Sequence, residues 1–291
     1  LKPRSLPKKI DRCGEAAIML WLAIPVGLYF FRERIATTLA ALPARKTVVQ
    51  GHLITLVLGL LYILPVEFVG LGVLKRPAYL GSLWCNIFTL LYTLKSNYGA
   101  PPLPQISGFS MSNWRQTGQA ALQQLAPWLQ KAMSGVDFHW LFFVLIWIAA
   151  YPSVWAVVII GRRSLWSVGS YCSNENLPET ASWRESRPWK AFAPTWAKLK
   201  QRETEVLHYS TLAEIVLGIW LVVSILMPWR QILTCILYWN FLRQRYQVPR
   251  SHEAHLKAWR QIGAKAQPLL QAAPFLQKPL DMAKGWFQPQ T

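Results

Sequence analysis

Acidic side chains are scarce in this chain, 13 against 31 Lys and Arg in 291 residues, for a formal charge of +18 and a pI near 10.1. Cysteine is scarce too. Cys13, Cys85, Cys172 and Cys235 stand far apart with no CxxC pair, which excludes a disulfide framework and a thiolate zinc site. Cys85 and Cys235 fall inside apolar runs, where a free thiol acts as a small hydrophobe. Catalytic signatures are missing as well: there is no GxSxG, Walker loop or GxGxxG. His252-Glu253-Ala254-His255 is one residue short of HExxH and lacks a third ligand, so these histidines read as surface residues of a basic tail. No internal repeat or low-complexity tract is present. These absences argue against an enzyme, a cofactor or a metal centre.

What the chain has is oil. Residues 138–160 form twenty-three positions without one charge, and as a helix they would reach about 35 Å, enough for a hydrocarbon core of about 30 Å. Hydrophobic residues make up 53% of the sequence and mean hydropathy is +0.20, which fits a few membrane helices with sizeable polar connections. The positive charge then suits anionic headgroups, at about 1 kcal/mol per surface Lys or Arg. Charge alone would suit nucleic acid equally, but the apolar runs place the basic loops beside phospholipid, so no nucleic-acid partner is expected.

The chain opens on Leu1 rather than methionine, so a segment upstream is expected to be missing or removed. Residues 16–31 imitate a signal peptide, yet Arg32, Glu33 and Arg34 follow where small residues should mark cleavage. A retained, short interfacial or partly inserted helix is expected there. Two paired runs come later, 52–74 with 79–94 across Lys75-Arg76-Pro77, and 207–227 with 232–242 across Pro228-Trp229-Arg230. Each pair predicts a helical hairpin. The central run 138–160 predicts a single kinked span. The alternative is a wedge that turns back at Pro152. Nearly every connection is basic, so charge does not pick out two faces.

Polar stretches surround these runs. Trp114, Ala121, Leu122, Leu125, Trp128 and Leu129 predict an amphipathic helix over 111–134, kinked at Pro127. Residues 161–206 hold eight basic and five acidic side chains, punctuated by Trp183, Trp189, Phe192 and Trp196. In the tail, Leu256, Trp259, Ile262 and Ala266 share a helix face beside Lys257, Arg260 and Lys265. Such a basic amphipathic helix is expected on the bilayer surface, with packing on the protein itself as the alternative.

The expected fold is therefore an all-α integral membrane protein with four to six membrane-embedded helices, largely short hairpins, plus interfacial amphipathic helices. Three parts are expected: 1–51, a basic N-terminal segment; 52–246, the membrane domain; and 247–291, the basic amphipathic tail. Sixteen tryptophans is a high number, and many end apolar runs. Trp140, Trp229, Trp239 and Trp259, with Arg243, Arg245, Lys257 and Arg260, are the expected membrane-interface contacts. Glu67, Asn86 and Glu214 are the polar groups expected within the membrane, with structural bonding to a neighbouring helix preferred over ion handling.

Several stretches resemble one known family. They are His139-Trp140-Leu141 and Tyr151-Pro152 in the central run, Ala213-Glu214-Ile215, the stretch Leu237-Tyr238-Trp239-Asn240-Phe241-Leu242-Arg243-Gln244-Arg245-Tyr246, and Asn86. Over about residues 52–262 the chain is similar to transmembrane protein 33, also called Krüppel homologue 2, and its fungal pore-membrane relatives. The run at 16–31 and the Trp-rich stretch 183–196 have no counterpart there, and Asn240 replaces a family arginine. The resemblance implies a non-enzymatic protein of the endoplasmic reticulum and nuclear envelope that shapes membrane with reticulon-like or pore-protein partners. The rival expectation, from the very basic composition, is an accessory subunit of a large mitochondrial or plastid membrane complex.

Overall fold

The computed structural model describes residues 44–65, 70, 72–102, 114–227 and 231–272. The chain divides into two units, 1–46 and 47–291. Of the first, only the opening residues of a helix are described, so the expected helix at 16–31 lies outside the described residues. The second unit carries the fold.

Every described element is helical. In chain order the α-helices are α1 (Ala44–Ile63), α2 (Lys75–Tyr98), α3 (Trp114–Met133), α4 (Val136–Ala149), α5 (Val154–Cys172), α6 (Ala181–Glu185), α7 (Arg187–Gln201), α8 (Glu203–Ser224), α9 (Ile232–Gln247) and α10 (Pro249–Ala272). Two of them, at 45–63 and 203–224, are long and apolar enough to cross a membrane. A third candidate arises if 123–133 and 136–149, bent by 102°, count as one.

Proline sets several boundaries. The first apolar run, expected over 52–74, begins its helix earlier, at Ala44, and stops at Ile63, just before Pro65. Lys75, Arg76 and Pro77 do not break a helix; they form the first turn of α2, where a missing N–H costs no intrahelical bond. The central run breaks at Pro152. The residue before a proline is pushed out of the helical region, and the chain is extended at Ala150 and again at Ser153 before α5 begins.

That break overturns the single kinked span. Asp137, in the first turn of α4, pairs with Arg163, near the middle of α5. A continuous helix would hold them about 39 Å apart. Both guanidiniums of Arg162 and Arg163 also stand over the Trp140 ring, at 5.9 and 5.3 Å from its centroid. The run doubles back as a hairpin of two arms.

Three hairpins result, α1–α2, α4–α5 and α8–α9, and their turns lie at one end. Tyr79 near the start of α2 donates to the carbonyl of Trp147 near the end of α4, at 3.1 Å. Trp147 meets Tyr238 of α9 edge-on, with ring centroids 5.9 Å apart. Tyr62, at the end of α1, lies 5.0 Å from Tyr79. Aromatic packing fills the middle, with Phe143 5.0 Å from Phe241 and both fully buried. Gly218 lets α9 approach α8 closely: a Cβ there would stand 2.7 Å from Leu242 and 3.3 Å from Tyr238.

Outside, the pattern inverts that of a water-soluble protein. Ile54, Val57, Leu60 and Leu64 of α1 and its turn are exposed, as are Val216, Ile219, Trp220 and Val223 of α8. Tyr151, Val154, Trp155 and Val158 are exposed at the α4–α5 turn, and Ile232, Leu233 and Ile236 at the start of α9. On α1 this belt extends about 15 Å back from the turn, and exposed Tyr209 of α8 and Phe88 and Leu91 of α2 carry it to about 20–24 Å. Contiguous apolar surface of this extent is what lipid covers.

At the opposite, open end, α7 crosses the hairpins. Ser186 caps it through the Trp189 amide, and Trp189 joins Trp183 against Val49, Val168 and Tyr171. Trp196 lies over Gly169, where a Cβ would stand 2.5 Å from the indole.

Candidate functional site

Charges that flank the apolar runs in sequence come together in space around one indole. Trp140 of α4 is buried, and three guanidiniums converge on its ring: Arg162 and Arg163 of α5, and Arg245 of α9 at 5.2 Å. Two carboxylates face them. Asp137 takes Arg163 and also accepts from Asn97 at 3.2 Å. Glu214 of α8, 1% exposed, has one oxygen 3.6 Å from Arg245 Nε and 3.8 Å from His255 Nε2 of α10. Among the described residues neither Glu214 oxygen has a hydrogen-bond donor, and the Nε atoms of Arg162 and Arg245 have no acceptor. Five helices are tied through one loosely spaced ionic cluster.

A second polar tie joins the first two hairpins. His52 Nδ1 of α1 and Ser164 Oγ of α5 are 3.1 Å apart, and Asn86 of α2 donates to the same hydroxyl at 3.4 Å. All three side chains are buried. In lipid, helices gain nothing from hydrophobic exclusion, so close contact and hydrogen bonds must associate them. Gly51 lets Thr89 of α2 approach α1 at this level.

The tail helix packs on the protein. Ser251 donates to the carbonyl of Arg245 at 2.6 Å, His252 to that of Tyr246 at 2.8 Å, and His208 of α8 lies 2.7 Å from Gln261. Ser251, His255 and Ala258 form the inner face against α8 and α9. The surface reading of the histidines is thereby corrected for His255, which is fully buried, because α10 runs antiparallel to α8 and lowers it onto Glu214.

The expected interface residues divide accordingly. Lys257 and Arg260 are exposed, Arg243 is half-buried, and Trp239 stacks at a tilt on Trp259, 6.3 Å away. Trp140 and Arg245 are corrected: they lie in the interior, since α9 packs on α4 and sets Arg245 over the Trp140 ring. Of the polar groups expected within the membrane, Asn86 and Glu214 are buried and engaged with neighbouring helices. Glu67 and Trp229 lie outside the described residues. Among the described residues no group of His, Cys, Asp and Glu is arranged to hold a metal ion. Sequence reasoning missed Asp137, Arg162 and Arg163. The available signal was that these opposite charges bracket the charge-free run.

Residues 114–265, a little over half of the chain and all of the ionic cluster, match the family profile described as Transmembrane protein 33/Nucleoporin POM33. The chain belongs to that family. The match agrees with the resemblance read from the central run and from 237–246, and it leaves α1, α2 and most of their His52–Ser164–Asn86 tie outside the matched residues. No curated protein and no solved structure matches.

Proposed function

We propose that this member of the transmembrane protein 33/nucleoporin POM33 family is a non-enzymatic membrane-shaping scaffold of the endoplasmic reticulum and nuclear envelope. One observation carries the reading: three helical hairpins have their turns at one end, ringed by exposed apolar side chains, while charged and polar segments gather at the other. Six helices would thus enter the membrane from one side. The belt reaches about 15 Å on α1 and about 20–24 Å on α2 and α8, short of a hydrocarbon core of about 30 Å. A body that fills one leaflet more than the other expands the first and favours curvature toward it.

Exposed Lys257, Arg260 and Lys265 on α10 would meet anionic headgroups. The lipid-facing sides of α1 and α8 offer area for other integral membrane proteins, reticulon-like or pore components by family resemblance. The family description, which names a transmembrane protein and a nucleoporin, supports the compartment. The mitochondrial or plastid alternative draws no support from it.

Reconstitution of the full chain into giant vesicles containing phosphatidylserine tests the mechanism. Tubules or small high-curvature vesicles are expected. They should be lost when Trp155, exposed at the α4–α5 turn, becomes Arg, since a charge deep in lipid costs about 2.5–3.5 kcal/mol. Flat vesicles with correctly inserted wild-type protein would contradict the proposal.

A further inference from the structure

Charge in the ionic cluster does not balance. Three guanidiniums lie within 6 Å of the Trp140 ring centroid, and two carboxylates, Asp137 and Glu214, face them. His255 adds no negative charge. Asp137 is committed to Arg163, so among the described residues Glu214 stands alone against Arg162 and Arg245, and the buried Nε of each lacks a hydrogen-bonding partner there. An uncompensated guanidinium in so dry a place is costly. One more monoanion would restore neutrality.

The surroundings indicate which anion. Arg162 is half-buried and Arg163 retains 18% side-chain exposure, so one edge of the cluster opens outward. Along α5, Arg162 shares a face with Val158 and Trp155, at i, i−4 and i−7, and Tyr151 stands in the turn before the helix. The three apolar members are 42%, 60% and 61% exposed. This gives a cation about 12 Å from the turn, with an oily track leading from it to the turn. With the turn in the hydrocarbon, that cation lies nearer the headgroups than any apolar member of the track. Arginine is also the side chain whose planar fork best matches phosphate oxygens.

We propose that Arg162, with Arg245 and Trp140 behind it, binds a phosphate monoanion, and that the track down α5 holds the acyl chains of the phospholipid bearing it. This is a binding site beyond the scaffold role, and it does not depend on whether the protein bends membranes. Free inorganic phosphate would satisfy the same guanidiniums, so both sources must be compared.

The full chain, stripped of lipid in a non-ionic detergent, would be titrated in thermal unfolding and native mass spectrometry with phosphatidic acid, inorganic phosphate or phosphatidylcholine. Phosphatidic acid should raise the melting temperature and remain bound as one molecule. Arg162→Gln should weaken that by about tenfold or more, as loss of a charge-assisted pair implies, while Arg260→Gln on the exposed face of α10 should leave it intact. Stabilisation by phosphatidic acid with none by inorganic phosphate assigns a lipid headgroup. Equal stabilisation by both keeps the phosphate site and removes the acyl track. Without any added anion, Arg162→Gln should melt at or above the wild-type temperature, because it removes the surplus charge. A lower melting temperature there, equal binding by Arg162→Gln and wild type, or equal binding of phosphatidylcholine would overturn the proposal.

Discussion

Removing the Glu214 carboxylate alone should be among the most damaging conservative changes available. In Glu214→Gln the amide keeps the volume, and Arg245, 4% exposed, loses the acid 3.6 Å from its Nε. Breaking one side of a buried pair costs about 3–5 kcal/mol, because the remaining charge stays desolvated. Exposed pairs are worth about 0–1 kcal/mol. Lys200 and Glu203, 2.5 Å apart at the surface, supply an internal control of that kind. Replacing both partners, as in Glu214→Leu with Arg245→Met, should recover most of the loss, since apolar substitutes for buried pairs are often neutral or better. The assay is a double-mutant cycle on unfolding in detergent micelles. A Glu214→Gln cost below about 1 kcal/mol, or a double variant as damaged as the sum of the singles, would refute the reasoning.

Three further outcomes are expected. Spin labels at Asp137 and Arg163 should report a short separation in reconstituted protein, whereas a continuous helix would put them about 39 Å apart. Gly169→Ala sets a Cβ 2.5 Å from the Trp196 ring; overpacking of this kind costs about 1–3 kcal/mol, and α7 should become cleavable by protease while the hairpins remain protected. Docking of α10 should weaken in acid. Burial lowers the His255 pKa from 6.5 to about 4, Arg245 and His252 push the same way, and Glu214 opposes them. A group depressed in this way stabilises the docked state above pH 6.5, and that contribution is lost as pH falls toward 4. Amide protection factors in α10 should therefore fall between those limits in the wild type and stay flatter in His255→Gln.

Much of the architecture was legible because apolar runs and prolines are local signals. The 207–227 and 232–242 pairing, the hairpin character of the first two runs and Pro152 as a bending point all follow from them. The direction of the central run was not legible. Its length alone fits a crossing, and only the tertiary pairing of Asp137 with Arg163 shows that it returns. Trp140 and Arg245 were misread for a related reason. A tryptophan or arginine at the end of an oily run has the same local signature whether it meets headgroups or another helix. His255 on a basic tail looked solvated until α10 was laid along α8. Lys257 and Arg260, on the other face of that helix, kept the exposure that their spacing predicts.

The most direct test of the one-sided hairpin arrangement uses single cysteines at Ser96, Asn176 and Arg202, in a background lacking Cys13, Cys85, Cys172 and Cys235. Sealed vesicles would be treated with a membrane-impermeant maleimide on one side at a time. All three positions should label from the same side, because each sits at the open end of a hairpin. Labelling of Ser96 or Asn176 from the side opposite Arg202 would mean that an intervening segment crosses the bilayer an odd number of times, which contradicts entry of all three hairpins from one face.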